Sequence, residues 1–163
     1  MTTRSLTNEQ WGFTSNCFVC ESTNPSGLRI PFEHDDESGV VRATFTLDDR
    51  FSGAPSYVHG GVTLAVLDEA MAWATIALGG KFAVTSETTT KFGYGVRVGR
   101  AYAVEATLDE DDGDTMQTSA RVLDDQGRPC VTASATFAVL GAAQAVDVLG
   151  VDDLGADASY LKD

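Results

Sequence analysis

Basic residues are scarce in this sequence of 163 residues, in which 11 lysines and arginines stand against 24 aspartates and glutamates. The formal net charge of −13 argues against nucleic acid and anionic membranes as partners, because both carry negative charge. An anionic ligand would need a local group of basic side chains against this overall field. At this length we expect one domain with a sizeable core.

A long apolar segment is missing after Met1, where polar residues such as Arg4, Asn8 and Glu9 stand. We therefore predict neither a signal peptide nor a membrane span, and we expect a cytoplasmic protein.

Cysteine is also scarce, and the odd count of three is typical of free thiols in a reducing compartment. Cys17 and Cys20 form an isolated C-x-x-C motif. A zinc site would need two further ligands, and a redox motif would need a thioredoxin-like context, which is absent. Buried thiols in a turn are the favoured interpretation, and no metal is expected.

One stretch dominates the rest of the sequence, because residues 62–78 contain neither Gly nor Pro and are almost all apolar or small. This composition predicts a helix that is buried on several sides. A transmembrane helix is excluded, since the stretch is short and carries Asp68 and Glu69 in its middle. Two adjacent carboxylates in a buried helix are destabilising unless they are paired or used. Gly60 and Gly61 leave backbone N–H groups uncovered at the positive end of the helix dipole, which suits a developing negative charge.

Strand patterns lie on both sides of this helix. A hairpin is predicted before it, with His34 in a solvated loop between the two strands. Because no helices separate the strands, we predict an α+β fold in which one long central helix is wrapped by a curved antiparallel β-sheet. The predicted strands are 28–33, 40–47, 82–94, 99–108, 115–123 and 129–140, and the predicted divisions are an N-terminal arm (1–27), a core domain (28–140) and an acidic C-terminal tail (141–163).

His59-Gly60-Gly61, followed nine positions after the histidine by Asp68 in an alanine-rich helix, resembles the hotdog-fold acyl-CoA thioesterases of the PaaI-like group. The resemblance implies a hotdog fold for the core domain and hydrolysis of an acyl-CoA thioester to a free acid and coenzyme A. Coenzyme A is part of the substrate, so no cofactor is implied. Further segments match in order and spacing, namely Ala83-Val84-Thr85, Phe92 and Gly99.

The resemblance also implies roles for single residues. The Gly60 N–H would stabilise the oxyanion, and Asp68 would act as nucleophile or as general base for water. Thr85 stands where members often have a hydroxyl that helps to hold the water or the intermediate. His59 would help to shape the loop that opens the helix and would touch the thioester as part of the catalytic group, and we expect Gly61 to contact the substrate.

Two positions depart from the family pattern. Gly53 stands where some relatives carry Asn or Gln in contact with the thioester, which affects how the substrate is activated. Gly95 replaces a usual Pro, and we expect it to loosen its strand.

Helix geometry separates the two ends of the predicted site. Gly60 and Asp68 are eight residues apart, which is about 12 Å along a helix and about 80° around its axis. One thioester carbon cannot lie within about 3 Å of both, so two chains must form each site. A homodimer with two equivalent sites is therefore expected, with a homotetramer as the larger alternative. Glu69 points about 100° away from Asp68 and is expected to meet a basic partner or the neighbouring subunit.

The phosphates of coenzyme A would need cationic groups, for which Arg97 and Arg100 are the candidates; exposed arginines that aid solubility are an equal alternative. Two other functions remain open. A hotdog hydratase of enoyl thioesters would need a paired Asp and His, but His59 stands at the wrong end of the helix from Asp68. A non-catalytic acyl-CoA-binding protein is consistent with Gly53 and less so with the intact motif.

Overall fold

The computed structural model describes residues 2–11 and 14–152 of the chain. Within these residues, two α-helices pack with one antiparallel sheet of seven strands. The strands are β1 (Thr3–Leu6), β2 (Phe32–Asp35), β3 (Val40–Thr46), β4 (Ala83–Phe92), β5 (Ala101–Asp111), β6 (Thr115–Leu123) and β7 (Pro129–Val139). The helices are α1 (Gly60–Ala77) and α2 (Ala142–Leu149).

The long helix α1 packs against every strand from β2 to β7, so the sheet wraps around it. Its buried side chains occur around most of the circumference, as the absence of a single apolar stripe predicts. The predicted α+β architecture is confirmed. Neither described helix combines the length and apolarity that a membrane crossing requires.

The strand order β1-β2-β3-β5-β6-β7-β4 places β4 at one edge of the sheet. Most of β4 is exposed, including Val84 at 42% and Phe92 at 56% of their accessible surface. Its pairing with β7 is interrupted by a bulge between Thr85 and Glu87, where Ser86 is the extra residue. The structure thus presents a ten-residue strand whose outer edge pairs with no other described strand.

The first strand after the N-terminal segment begins later than predicted, at Phe32 rather than at residue 28. The placement of His34 in a solvated loop is wrong, because β1 and β3 pair with β2 on both sides and leave this side chain only 8% exposed. Residues 14–31 form an irregular segment whose apolar side chains join the core, among them Val19, Leu28 and Ile30.

The two terminal segments contain regular structure of their own. Part of the predicted arm is strand β1, and part of the predicted tail is α2, which buries Ala145. Residues 1, 12 and 13 of the arm and residues 153–163 of the tail lie outside the described residues.

Candidate active site

The histidine of the motif caps the central helix. His59 is the N-cap of α1, and its Nδ1 accepts a hydrogen bond of 2.9 Å from the Gly61 N–H. A Cβ on Gly61 would lie 3.2 Å from that nitrogen, so the close approach favours glycine here. The helix begins at Gly60, two residues earlier than predicted, because this side-chain cap holds both glycines in the first turn.

The Gly60 N–H is free to bind a ligand. It donates to no acceptor among the described residues, and it lies at the positive end of the α1 dipole. The exposed ring of Phe92 is close by, since a Cβ on Gly60 would lie 3.6 Å from it. A partial negative charge on a bound oxygen would be stabilised at this position.

The carboxylate of Asp68 is held by a residue from the edge strand. Thr85 Oγ1 donates a hydrogen bond of 2.7 Å to Asp68 Oδ1, although the two residues are 17 positions apart in the sequence. Thr85 comes directly before the β4 bulge and is itself exposed. The hydrogen bond orients the carboxylate while leaving its second oxygen, Oδ2, available to another donor.

Gly60 and Asp68 do not meet within one chain. Both belong to α1, so their separation along the helix axis is about 12 Å. The structure therefore brings Asp68 to Thr85, and His59 to Gly61, but it leaves these two pairs apart.

Glu69 has a different partner from the one expected. Its Oε1 is hydrogen-bonded at 3.3 Å to Cys17 Sγ, and no described basic side chain forms an ion pair with it. Within the described residues the expected basic partner is not found, because the irregular segment 14–31 presents a thiol to this side of α1. A contact of Glu69 with the neighbouring subunit stays a prediction. Burial, followed by the charge of Cys17, raises the pKa of Glu69 to about 8.

The two cysteines of the C-x-x-C motif also change each other's pKa. A hydrogen bond from the Cys20 thiol lowers the pKa of Cys17 to about 5, with help from the Cys20 and Val19 amides. The same thiol–thiol hydrogen bond, together with burial, raises the pKa of Cys20. Cys17 is therefore the thiol that ionises first.

Arg97 and Arg100 line one cavity of about 390 Å³. Arg97 stacks on the ring of Tyr57 at 4.9 Å, and the backbones of these two residues form a β-bridge. Tyr57 stands three residues before the first residue of α1. Neither Arg97 nor Arg100 forms an ion pair with a described acidic residue. The cavity lies beside the segment that leads into the amino end of α1, and its lining has a small excess of positive charge, with Arg97, Arg100 and Arg128 against Asp124 and Asp125.

Sequence reasoning missed part of this cavity. Tyr94 also lines it, with Arg128 stacked on its ring at 4.2 Å and paired with Asp124 at 2.9 Å. An available signal was the pattern of tyrosines next to glycines and arginines around residues 94–100.

The two glycines that depart from the family pattern both make room for aromatic rings. A Cβ on Gly53 would lie 3.2 Å from His59 Cδ2. A Cβ on Gly95 would lie 2.5 Å from the Tyr57 ring, which only a glycine avoids. Gly95 does not loosen a strand, because β4 ends before it, at Phe92.

Comparison with known proteins agrees with this fold. A family model described as the Thioesterase superfamily matches residues 56–131, which run from before α1 into β7. The solved structure of a thioesterase superfamily protein superposes with a TM-score of 0.72 at 26% identity, over 80% of this chain and 64% of that chain. The present chain thus spans just under two thirds of that protein.

The PaaI protein of E. coli, from the phenylacetic acid degradation operon, superposes with a TM-score of 0.62 at 20% identity, over 70% of this chain and 81% of that chain. The resemblance to the PaaI-like hotdog thioesterases is confirmed. A hypothetical thioesterase of Streptococcus pneumoniae, solved with coenzyme A, shares the hotdog fold with a TM-score of 0.60 at 18% identity, over 63% of this chain and 80% of that chain. No significant match was found among proteins of curated function.

Proposed function

We propose that this protein hydrolyses acyl-CoA thioesters to the free acid and coenzyme A. The observation that carries the proposal is the Thr85–Asp68 hydrogen bond, which orients a carboxylate on α1. The amino end of the same helix presents the Gly60 N–H, which donates to no described acceptor. A positioned base and an oxyanion donor are the two groups that hydrolysis of an acyl thioester requires.

In the proposed reaction Asp68 is the general base. Its free Oδ2 accepts a proton from water, whose oxygen attacks the thioester carbon. The Gly60 N–H stabilises the negative charge on the carbonyl oxygen, and one such donor contributes about 2.7–4 kcal/mol. When the intermediate collapses, the carbon–sulfur bond breaks, and the leaving thiolate takes the proton back from Asp68.

The two groups would come from two copies of the chain. Within one chain they are about 12 Å apart, too far for one carbonyl group. The long exposed edge of β4, with apolar Val84 and Phe92, is suited to association with a second copy, since unpaired strand edges are pairing surfaces. A homodimer would then hold two equivalent sites.

The arginine-lined cavity is the proposed site for the phosphates of coenzyme A. Arg97 and Arg100 carry charges that no described acid neutralises through an ion pair, and guanidinium groups bind phosphate well. The structure of the Streptococcus pneumoniae protein with coenzyme A supports a ligand of this class. Gly61 would contact the acyl part of the substrate from the first turn of α1.

A hydratase is less well supported by the same contacts. A hydratase would need His59 beside Asp68, but the His59 Nδ1 is used as the helix cap, nine residues away in the sequence. A purely binding function would leave the Thr85–Asp68 pair without a use.

Release of free thiol from a panel of aliphatic and aromatic acyl-CoAs tests the proposal. We expect turnover by the wild type and a loss of kcat of about a hundredfold or more in Asp68→Ala, the scale of removing a general base. Asp114→Ala, which removes an exposed acid in the β5–β6 turn, is the control and should behave as the wild type. Unchanged turnover in Asp68→Ala would exclude the assignment, and a wild type that binds acyl-CoA without turnover would favour the non-catalytic function.

A further inference from the structure

Three metal-ligating side chains meet about 100° around α1 from the Asp68–Thr85 pair. Cys17 Sγ, Cys20 Sγ and a carboxylate oxygen of Glu69 all lie within 4.8 Å of one another. The two thiols come from the turn in the irregular segment 14–31, and the carboxylate comes from the middle of α1. The cluster therefore joins residues that are about fifty positions apart in the sequence, at a place that the proposed hydrolysis does not use.

Three N–H donors are directed at the two sulfurs. The N–H groups of Val19 and Cys20 each donate to Cys17 Sγ at 3.4 Å. The side-chain amide of Asn8 donates to Cys20 Sγ at 3.7 Å. Donors directed at both sulfurs stabilise thiolates and tune bound metals.

The sulfur–oxygen distance fits one small ion. Zinc–sulfur bonds of about 2.3 Å and zinc–oxygen bonds of about 2.0–2.2 Å at a tetrahedral angle place sulfur and oxygen about 3.6 Å apart. Cys17 Sγ and Glu69 Oε1 are 3.3 Å apart, so a shift of a few tenths of an ångström would suffice. Calcium and magnesium are excluded by the two sulfurs, since both ions prefer oxygen ligands only.

We propose that Cys17, Cys20 and Glu69 form a zinc site that fastens segment 14–31 to the central helix. Zinc accepts both thiolate and carboxylate ligands, and three protein ligands leave a fourth position for water. Cys20 also lines a cavity of about 190 Å³ between the β1 region and residues 20–22, which has room for that water. The ion would place positive charge beside a carboxylate that has no described basic partner.

The site would contribute to stability and not to the hydrolysis itself. Because the ligands come from two separate parts of the chain, a metal that binds only the folded form adds its binding free energy to folding. Asp68, which precedes Glu69 and lies about 100° around the helix from it, would keep its hydrogen bond with Thr85. The inference does not depend on the proposed hydrolysis, and its test measures metal and not activity.

The test uses untagged full-length protein, purified under reducing conditions and stripped of metal with a chelator. After addition of Zn²⁺ and dialysis, metal content is measured by mass spectrometry, and Co²⁺ is used as a spectroscopic probe of sulfur ligation. We expect one Zn²⁺ per chain and the absorption of tetrahedral Co²⁺ with thiolate ligands. The Tm should rise with Zn²⁺ concentration.

Variants show whether these three residues are the ligands. Cys17→Ser should abolish the Co²⁺ spectrum, and Glu69→Gln should weaken Zn²⁺ binding by at least about tenfold and remove the rise in Tm. Cys130→Ser is the matched control, because this third cysteine is buried in β7 outside the cluster, and it should bind one Zn²⁺ as the wild type does.

Three results would overturn the proposal. They are a reduced wild type that retains no Zn²⁺, binding that Cys17→Ser and Glu69→Gln leave unchanged, and a loss of binding in Cys130→Ser alone. If Cys17→Ser does not fold, Glu69→Gln decides alone, because it keeps both thiols and nearly the same side-chain volume.

Discussion

Asp68 and Glu69 are neighbours on α1, yet they face different parts of the molecule. Asp68 is bonded to a hydroxyl from β4, the exposed edge strand of the sheet. Glu69, about 100° around the helix, is bonded to a thiol from the irregular segment 14–31. We call these the open side and the closed side of α1.

The two sides differ in whether their polar groups find partners within one chain. The closed side gathers all its groups from one chain, and segment 14–31 covers it with Val19, Leu28 and Ile30 in the core. On the open side, the Gly60 N–H and Asp68 Oδ2 have no hydrogen-bond partner among the described residues, and Phe92 is exposed. One helix thus supports a site that can be complete within a chain and, under the proposed function, a site that a second chain completes.

The largest expected effect comes from removing the Gly60 N–H. Gly60→Pro deletes this donor. The fold should tolerate the change, because proline is favoured at the first position of a helix and the φ of −57° and ψ of 135° at His59 suit a residue before proline. We expect kcat to fall by about 100- to 1,000-fold with the Tm nearly unchanged. Gly60→Ala keeps the N–H and makes only an ordinary contact with Phe92, so it should lose much less.

Mixing two inactive variants tests whether the open side needs a second chain. In a mixed dimer of Gly60→Pro and Asp68→Ala, one site has both substitutions and the other has neither. Random exchange of subunits should therefore restore roughly a quarter of the wild-type activity. If all groups acted within one chain, mixing would restore nothing, and a sedimentation experiment that found an active monomer would contradict the two-chain site.

The sequence predicted the open side better than the closed side. The apolar composition of residues 62–78 was sufficient for a buried helix, and the strand patterns around it were sufficient for the curved sheet. The two-chain argument needed only helix geometry, and it remains a prediction here. Thr85 was implied by the resemblance, and the structure places its hydroxyl against Asp68.

The closed side depends on contacts that no local pattern encodes. Cys17 and Glu69 are 52 residues apart, and neither the motif nor the helix periodicity says that they meet. His34 was misplaced because its surroundings are polar in sequence, while pairing of β1 and β3 with β2 buries it. Tertiary pairing, and not local propensity, decided both positions.

A smaller effect is expected from the hydroxyl of Thr85. Thr85→Val keeps the shape of the side chain but removes the hydrogen bond to Asp68 Oδ1, which is worth about 1.5 kcal/mol or more when the acceptor is charged. We expect kcat to fall roughly tenfold, because the carboxylate is less well oriented. Thr85→Ser should restore most of it. Thr88→Val is the control on the same strand, since the Thr88 hydroxyl bonds to the backbone of Ser134, and a similar loss there would show a general effect on β4.

The smallest effect concerns His34 of β2, and it is a change of stability with pH. Burial lowers the pKa of His34 below its usual 6.5, although Asp36 and Asp35 partly oppose this and Arg4 adds to it. The unfolded chain therefore takes up a proton first, so the free energy of unfolding falls as the pH drops below about 6.5. Chemical denaturation of His34→Gln should show a weaker fall between pH 7 and pH 5, with a constant difference from the wild type above pH 7. If the free energy of unfolding of the two proteins changed in parallel across this range, His34 would be protonated equally in the folded and unfolded states. The pairing of β2 with β1 and β3 would then leave its side chain open to water.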